Sequence, residues 1–153
     1  MKFILAVVVL FFISSCQTGD GGNVISDYTK QNETEILNYI DDNNLVAQKS
    51  NSGLYYVILQ QGEGVHPSTS SDVTVKYKGF YTNGNIFDES DEEGITFNLQ
   101  QVIAGWTEGI TYFKEGGKGI LLIPSRLAYG PLDTRGIPGG SVLIFEIELF
   151  KVH

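Results

Sequence analysis

The stretch DVTVKYKGFYTNGNIFDES, Asp72 to Ser90, decides the fold. Val73, Val75 and Tyr77 alternate with Thr74, Lys76 and Lys78. A period of two is what a strand with one buried face requires. Thr82-Asn83-Gly84-Asn85 then holds an Asn-Gly pair. Both residues of such a pair tolerate positive φ, so it turns a tight hairpin. NIFDES, 85–90, returns as a second strand.

Working outward, the same signals recur. GLYYVILQQG (53–62) is rich in aromatic and β-branched residues and ends at Gly62. ITFNL (95–99), KGILLIP (118–124) and SVLIFEIELFKV (141–152) read as further strands. In the last, Leu143, Phe145, Ile147 and Leu149 share one face, with Glu146 and Glu148 opposite. WTEGITYFK (106–114) is expected to be a short helix with Ile110 and Phe113 inward. KEGGKG (114–119) is a turn; it lacks the Gly-Lys-Ser/Thr ending of a phosphate loop and leads into a strand. SRLAYGPLDTRGIPGG, between Pro124 and Ser141, is a long loop, and long loops in compact domains are often functional. Strands outnumber helices, so the class is α+β, an antiparallel sheet with a short helix on one face.

The chain opens differently. Lys2 precedes eleven apolar residues, Phe3 to Ile13, then Ser14, Ser15 and Cys16. A positive start, a short apolar run and small residues before a cut make a secretory signal over 1–15. The apolar run is shorter than the roughly 20 residues that span a bilayer. Cys16, the only cysteine, sits at the cut and reads as the lipidated first residue of a lipoprotein. The alternative is an ordinary signal peptide with an unconnected cysteine. Gln17, not aspartate, follows Cys16 and points to the outer membrane. Residues 16–27 are small and polar, a tether. Residues 28–51 form a helical extension, with a helix from about 28 to 44. Ile36, Leu37, Ile40 and Leu45 fall near helical spacing, Ser26 or Asp27 stands at its start and Asn43-Asn44 at its end. It either packs on the main domain, 52–153, or pairs two chains as a dimerisation arm.

The net charge of −8, one unit more negative without Lys2, excludes a nucleic-acid partner, which needs clustered Lys and Arg. The two histidines, His66 and His153, make no metal motif, and no cofactor or metal is expected. There is no Ser-His-Asp order and no thiol in the exported part. Trp106, the only tryptophan, lies between Gly105 and Gly109 in QVIAGWTEGI, 101–110. On its own it is either a core plug or the floor of a pocket. Gly105 is expected to let the chain turn into the helix.

Four fragments in order, VKYKGFYTNGNIFDES, FNLQQVIAGWTEGI, IPSRLAYG and GIPGGSVLIFEIEL, resemble the FKBP-type peptidyl-prolyl isomerases from about Ser52 to Val152. The lipobox and helix resemble the extended lipoproteins of that family in Gram-negative bacteria. No long insertion follows Ala128-Tyr129, unlike the subfamily with a separate chaperone insert there. The resemblance implies a strongly curved antiparallel sheet wrapped on one short helix. It implies a pocket from Tyr77, Phe87, Asp88, Ile103, Trp106, Tyr129 and Phe145 as catalytic residues, with Val102, Ala128 and Ile137 binding substrate. Within it the Ile103 N–H and the Tyr129 hydroxyl hold peptide carbonyls, and Asp88 accepts from Tyr77 or from substrate. Ile95 falls near a further family aromatic, after a loop of different length. Proline-containing polypeptides are the implied clients, and macrolides the implied ligands. The activity is rotation of X-Pro bonds in exported proteins; the alternative is an envelope binding or chaperone module in which turnover is incidental. Three positions depart from the family: Ala104, the run Pro131 to Arg135, and Pro138-Gly139 where Pro-Pro is common. Gly139 is expected to free the loop that a second proline would stiffen.

Overall fold

The computed structural model describes residues 27–153. The signal segment 1–15, Cys16 and all but the last residue of the tether lie outside the described residues. In chain order the elements are α1 (Thr29–Asp42), β1 (Gln48–Lys49), β2 (Tyr55–Gln60), β3 (Asp72–Phe80), β4 (Ile86–Glu89), β5 (Ile95–Asn98), α2 (Ala104–Gly109), β6 (Lys118–Ile123) and β7 (Leu143–Val152). A 3₁₀ turn, Ile110–Tyr112, extends α2, so this helical stretch starts two residues before the position expected from sequence. A second 3₁₀ turn, Ser125–Leu127, follows β6.

The seven strands form one sheet in the order β1-β2-β6-β7-β3-β4, with β5 also on β3. Every pairing is antiparallel. β3 lies beside β7 along its whole length, while β5 takes the start of its other edge and β4 the end. The β3–β4 hairpin turns where the Asn-Gly signal stands, with Gly84 at φ 84°. The ladder shifts register near Thr74/Val75, Gly79/Phe80 and Ile58/Gln60, and such bulges add twist to the strands.

Alternation sends side chains to two cores. Val73, Val75, Leu121, Ile123, Leu143, Phe145, Ile147 and Leu149 face α2, where Trp106, Ile110 and Phe113 meet them. Two glycines bring α2 this close. A Cβ on Gly105 would stand 2.4 Å from the Ile123 side chain, and one on Gly109 2.7 Å from Leu121. Gly105 therefore serves close packing. Its φ is not positive, so the expected turning role is corrected.

On the opposite face, Tyr55, Val57, Phe80, Leu122 and Ile144 surround Ile36 of α1, which is fully buried. The sheet wraps on the short helix α2 as expected, and the N-terminal extension covers its second face. This explains the unbroken apolar run ILLI in β6, whose neighbours point to different cores. It also explains β7, where Ile144 lies under α1 and the same face continues as exposed Glu146. Leu37, read as part of the apolar stripe, is 47% exposed. Tyr28, not Ser26 or Asp27, is the N-cap residue, but Asp27 Oδ1 accepts the Thr29 N–H at 2.9 Å. Asn43 ends the helix as expected. Glu33 fastens α1 laterally, accepting from Lys49 Nζ at 2.7 Å and Tyr55 OH at 2.6 Å. The Lys49 bond first, then Tyr55, holds its carboxyl below the usual glutamate range. β1 lies inside the stretch assigned to the extension and was not foreseen.

Candidate active site

A cavity of about 470 Å³ opens between α2 and strands β3, β4, β5 and β7. Tyr77 comes from β3, Phe87 and Asp88 from β4, Phe97 from β5, Trp106 from α2 and Phe145 from β7. Val102 and Ile103 precede α2, and Tyr129 comes from the loop between β6 and β7.

Trp106, 4% exposed, stands at right angles to three neighbours. Its ring centroid lies 5.1 Å from Tyr77 (89°), 5.3 Å from Phe145 (83°) and 5.6 Å from Phe97 (83°). Phe87 meets Phe145 in the same way, at 5.5 Å and 88°. Edge-to-face contacts match the positive rim of one ring to the negative face of another. Gly79, paired with Phe145 across to β7 and with Asp88 across to β4, gives these rings room. A Cβ there would lie 2.7 Å from Phe87 and 2.8 Å from Phe145. The two readings of Trp106 merge, since it is both buried in the core cluster and lining the cavity. Its Nε1–H is buried without a hydrogen-bond partner among the described residues.

Tyr77, Asp88, Gln101, Tyr129, Thr134 and Arg135 bring polar groups to the lining. Tyr77 OH donates to Asp88 Oδ2 at 2.7 Å. Burial, then this hydrogen bond, pushes the Tyr77 phenol well above its ordinary pKa. Tyr77 therefore stays a protonated donor, and Asp88 is an acceptor already in use. Ile103 precedes α2 in extended conformation, φ −61° and ψ 150°. Its carbonyl accepts from Trp106 N, while its N–H donates to none of the described residues. No member of this set forms the paired nucleophile and base that bond-breaking acyl transfer needs.

The seven side chains expected to be catalytic, Tyr77, Phe87, Asp88, Ile103, Trp106, Tyr129 and Phe145, all line this cavity, as does Val102. Ala128 and Ile137, expected to touch substrate, do not. Ile137, only 8% exposed, belongs to the core cluster, and Ala128 packs against it. The residue that β5 contributes to the cavity is its aromatic Phe97, not Ile95, which is 45% exposed. Alternation with buried Leu99 in ITFNL carried that signal. Gln101, Thr134 and Arg135 also line the cavity without having been foreseen.

Thr134 and Ile137 exchange both backbone hydrogen bonds, 3.0 and 2.9 Å, around Arg135 and Gly136. These two stand at φ 54° and 82°, the two positive φ values of a type I′ turn. Gly139 does not free the loop. Its N–H donates to Asp133 Oδ1 at 2.8 Å, and a Cβ there would lie 2.2 Å from the Pro131 carbonyl oxygen. Close approach, not slack, is what the missing side chain provides, and that expectation is corrected.

An antiparallel sheet with an aromatic cavity against a short helix is the architecture observed, and over residues 63–150 the chain belongs to the FKBP-type peptidyl-prolyl cis-trans isomerase family. The isomerase FkpA of Buchnera aphidicola subsp. Baizongia pistaciae is 47% identical over 109 residues, 70% of this chain and 43% of that protein. The crystal structure of FkpA from Escherichia coli superposes with a TM-score of 0.72 at 39% identity, covering 80% of this chain and 60% of that one. A peptidyl-prolyl cis-trans isomerase from Pseudomonas syringae pv. tomato gives 0.73 at 32% identity, covering 82% and 92%. The chain spans less than half the length of the FkpA relatives it matches.

Proposed function

We propose that this chain accelerates cis-trans rotation of X-Pro bonds in polypeptides, without covalent chemistry. The observation that carries the reading is the convergence of Tyr77, Phe87, Phe97, Trp106 and Phe145, from five elements, on one cavity with Trp106 as its floor. The uncatalysed barrier of about 18–20 kcal/mol comes from amide resonance. The twisted amide separates less charge than the planar one. An apolar aromatic wall therefore favours the twisted form relative to the ground state. The proline ring rests on Trp106. The Ile103 N–H and the Tyr129 hydroxyl hold the carbonyls on either side. Asp88, engaged by Tyr77, orients the wall and takes no proton. Val102 completes the apolar lining.

Polypeptides folding in the envelope of a Gram-negative bacterium are the clients, because uncatalysed isomerisation takes tens to hundreds of seconds. The order of Lys2, Phe3–Ile13 and Cys16 supports cleavage after Ser15 and lipidation of Cys16, with the protein held on the outer membrane facing the periplasm. The apolar stripe of α1 is turned into its own chain, which supports a monomer over helix-mediated pairing. The test follows cis-to-trans conversion of a short X-Pro peptide with the full chain, with and without a macrolide, beside Trp106→Leu. Acceleration blocked by the macrolide and lost in the variant is expected. A folded protein that leaves the rate unchanged overturns the catalytic reading; macrolide binding without acceleration would favour a binding module.

A further inference from the structure

We infer that Asn32, on α1 and outside the family-matched segment, is a positioning residue that acts on the cavity through Tyr129. The inference rests on the isomerase reading above. Asn32 and Ser125 are the two buried polar side chains among the described residues, 1% and 5% exposed. They close a hydrogen-bond circuit. Ser125 N–H and Oγ–H both donate to Asn32 Oδ1, at 2.8 and 2.7 Å. The Ala128 and Gly130 N–H groups donate to the Ser125 carbonyl, at 2.9 and 2.8 Å. Gly140 N–H donates to the Gly130 carbonyl at 2.9 Å. Asn32 Nδ2–H then donates to the Gly140 carbonyl at 2.8 Å and completes the ring.

Tyr129 is the residue between Ala128 and Gly130, whose amides both end on Ser125. Its backbone is thus clamped on both sides by a ring whose only members from outside the loop are the two ends of one amide. The ring spans both roots of the loop, since Ser125 follows β6 and Gly140 precedes β7. The chemistry selects asparagine. Oδ1 faces two donors and Nδ2 faces one acceptor, which assigns the amide a single orientation. Aspartate keeps the acceptor and loses the donor; leucine, of similar size, loses both. A second contact from the same helix start supports the clamp. Gly140, at φ 77°, lies against Tyr28, whose ring stands 2.4 Å from where a Cβ would be. The helix therefore braces the loop that carries the Tyr129 hydroxyl.

The test is a double-mutant cycle in the full chain with a Leu-Pro peptide. Misplacing a positioned group by an ångström costs up to about a hundredfold. Asn32→Ala is expected to lower kcat/KM about tenfold in the Tyr129 background and less than about twofold in Tyr129→Phe, because both changes remove the same effect. The full loss persisting in Tyr129→Phe, or no loss at all, overturns the inference. If Asn32→Ala does not fold, Asn32→Asp, which keeps the acceptor for Ser125 and loses the donor to the Gly140 carbonyl, enters the same cycle with the same criterion. Hydrogen exchange at the Gly130 and Gly140 amides reads the circuit with no substrate present. Faster exchange at both in Asn32→Asp is expected, and unchanged exchange overturns the clamp. A wild type that fails to accelerate rotation counts against the isomerase reading alone, and exchange then decides the clamp.

Discussion

The floor and the rim of the cavity are built by different means. The floor is Trp106 with Tyr77, Phe97 and Phe145 each at right angles to it, brought together by strand alternation and by glycines that leave room. Its cohesion is dispersion and burial, which are shared over many contacts and fall off smoothly as geometry changes. The rim is a loop with few buried side chains, held by single directional bonds: the Asn32 ring, the Arg135-Gly136 turn and the Gly139–Asp133 bond. A bond of that kind is made or lost as a unit, and a buried partner left alone costs about 1–3 kcal/mol. The floor thus provides affinity for an apolar ring, and the rim provides placement.

Four substitutions separate the two regions. Trp106→Ala has the largest effect, lowering unfolding free energy by about 3–5 kcal/mol in a urea titration, since a large buried ring is removed. A cost below about 1 kcal/mol would mean the floor is not part of the packed core. Gly139→Pro comes next, although the family often carries proline there. It removes the donor to Asp133 and drives a ring into the Pro131 carbonyl, so it is expected to destabilise by about 1–3 kcal/mol. A stabilised variant would show that the loop is slack. Tyr77→Phe leaves the floor filled and deletes the bond to Asp88, at a cost of about 1 kcal/mol in the same titration. Arg135→Glu leaves stability unchanged within about 0.5 kcal/mol, as befits an exposed turn residue. Its effect is on choice. Among the described residues Arg135 is the one cationic side chain lining the cavity, so the ratio of kcat/KM for Glu-Pro over Lys-Pro peptides should fall about three- to tenfold. An unchanged ratio would place its charge away from the bound chain.

The floor was largely legible in the sequence and the rim was not, for a physical reason. Strand periodicity is local, so Tyr77 and Phe145 could be assigned a face from their own neighbours. Phe97 was open to the same reading through Leu99 and was passed over. The order of the four family fragments then joined these faces into one pocket. Asn32 carried no such signal: on an amphipathic helix a polar residue reads as solvent-facing, and its partners lie 93 and 108 positions away. Gly105 and Gly139 were read by backbone freedom, whereas what they provide is absence of bulk, a property of whatever packs against them. Arg135-Gly136 lacks the Asn or Asp that usually marks a type I′ turn, so the turn that aims Arg135 stayed hidden. The cover that α1 gives the second face was left open by its sequence, since an apolar stripe fits a neighbouring chain as well as its own.

Trp106 is the only tryptophan of the chain, while tyrosine occurs eight times. Light absorbed by indole alone therefore reports from one place, the floor of the cavity. Three aromatic rings, Tyr77, Phe97 and Phe145, stand edge-on around that chromophore, and its Nε1–H is buried. Emission should be blue-shifted in the empty protein and should change when a ring settles on the indole. No label is needed to watch the pocket fill, and red-shifted emission on unfolding serves as the second colour of the same natural probe.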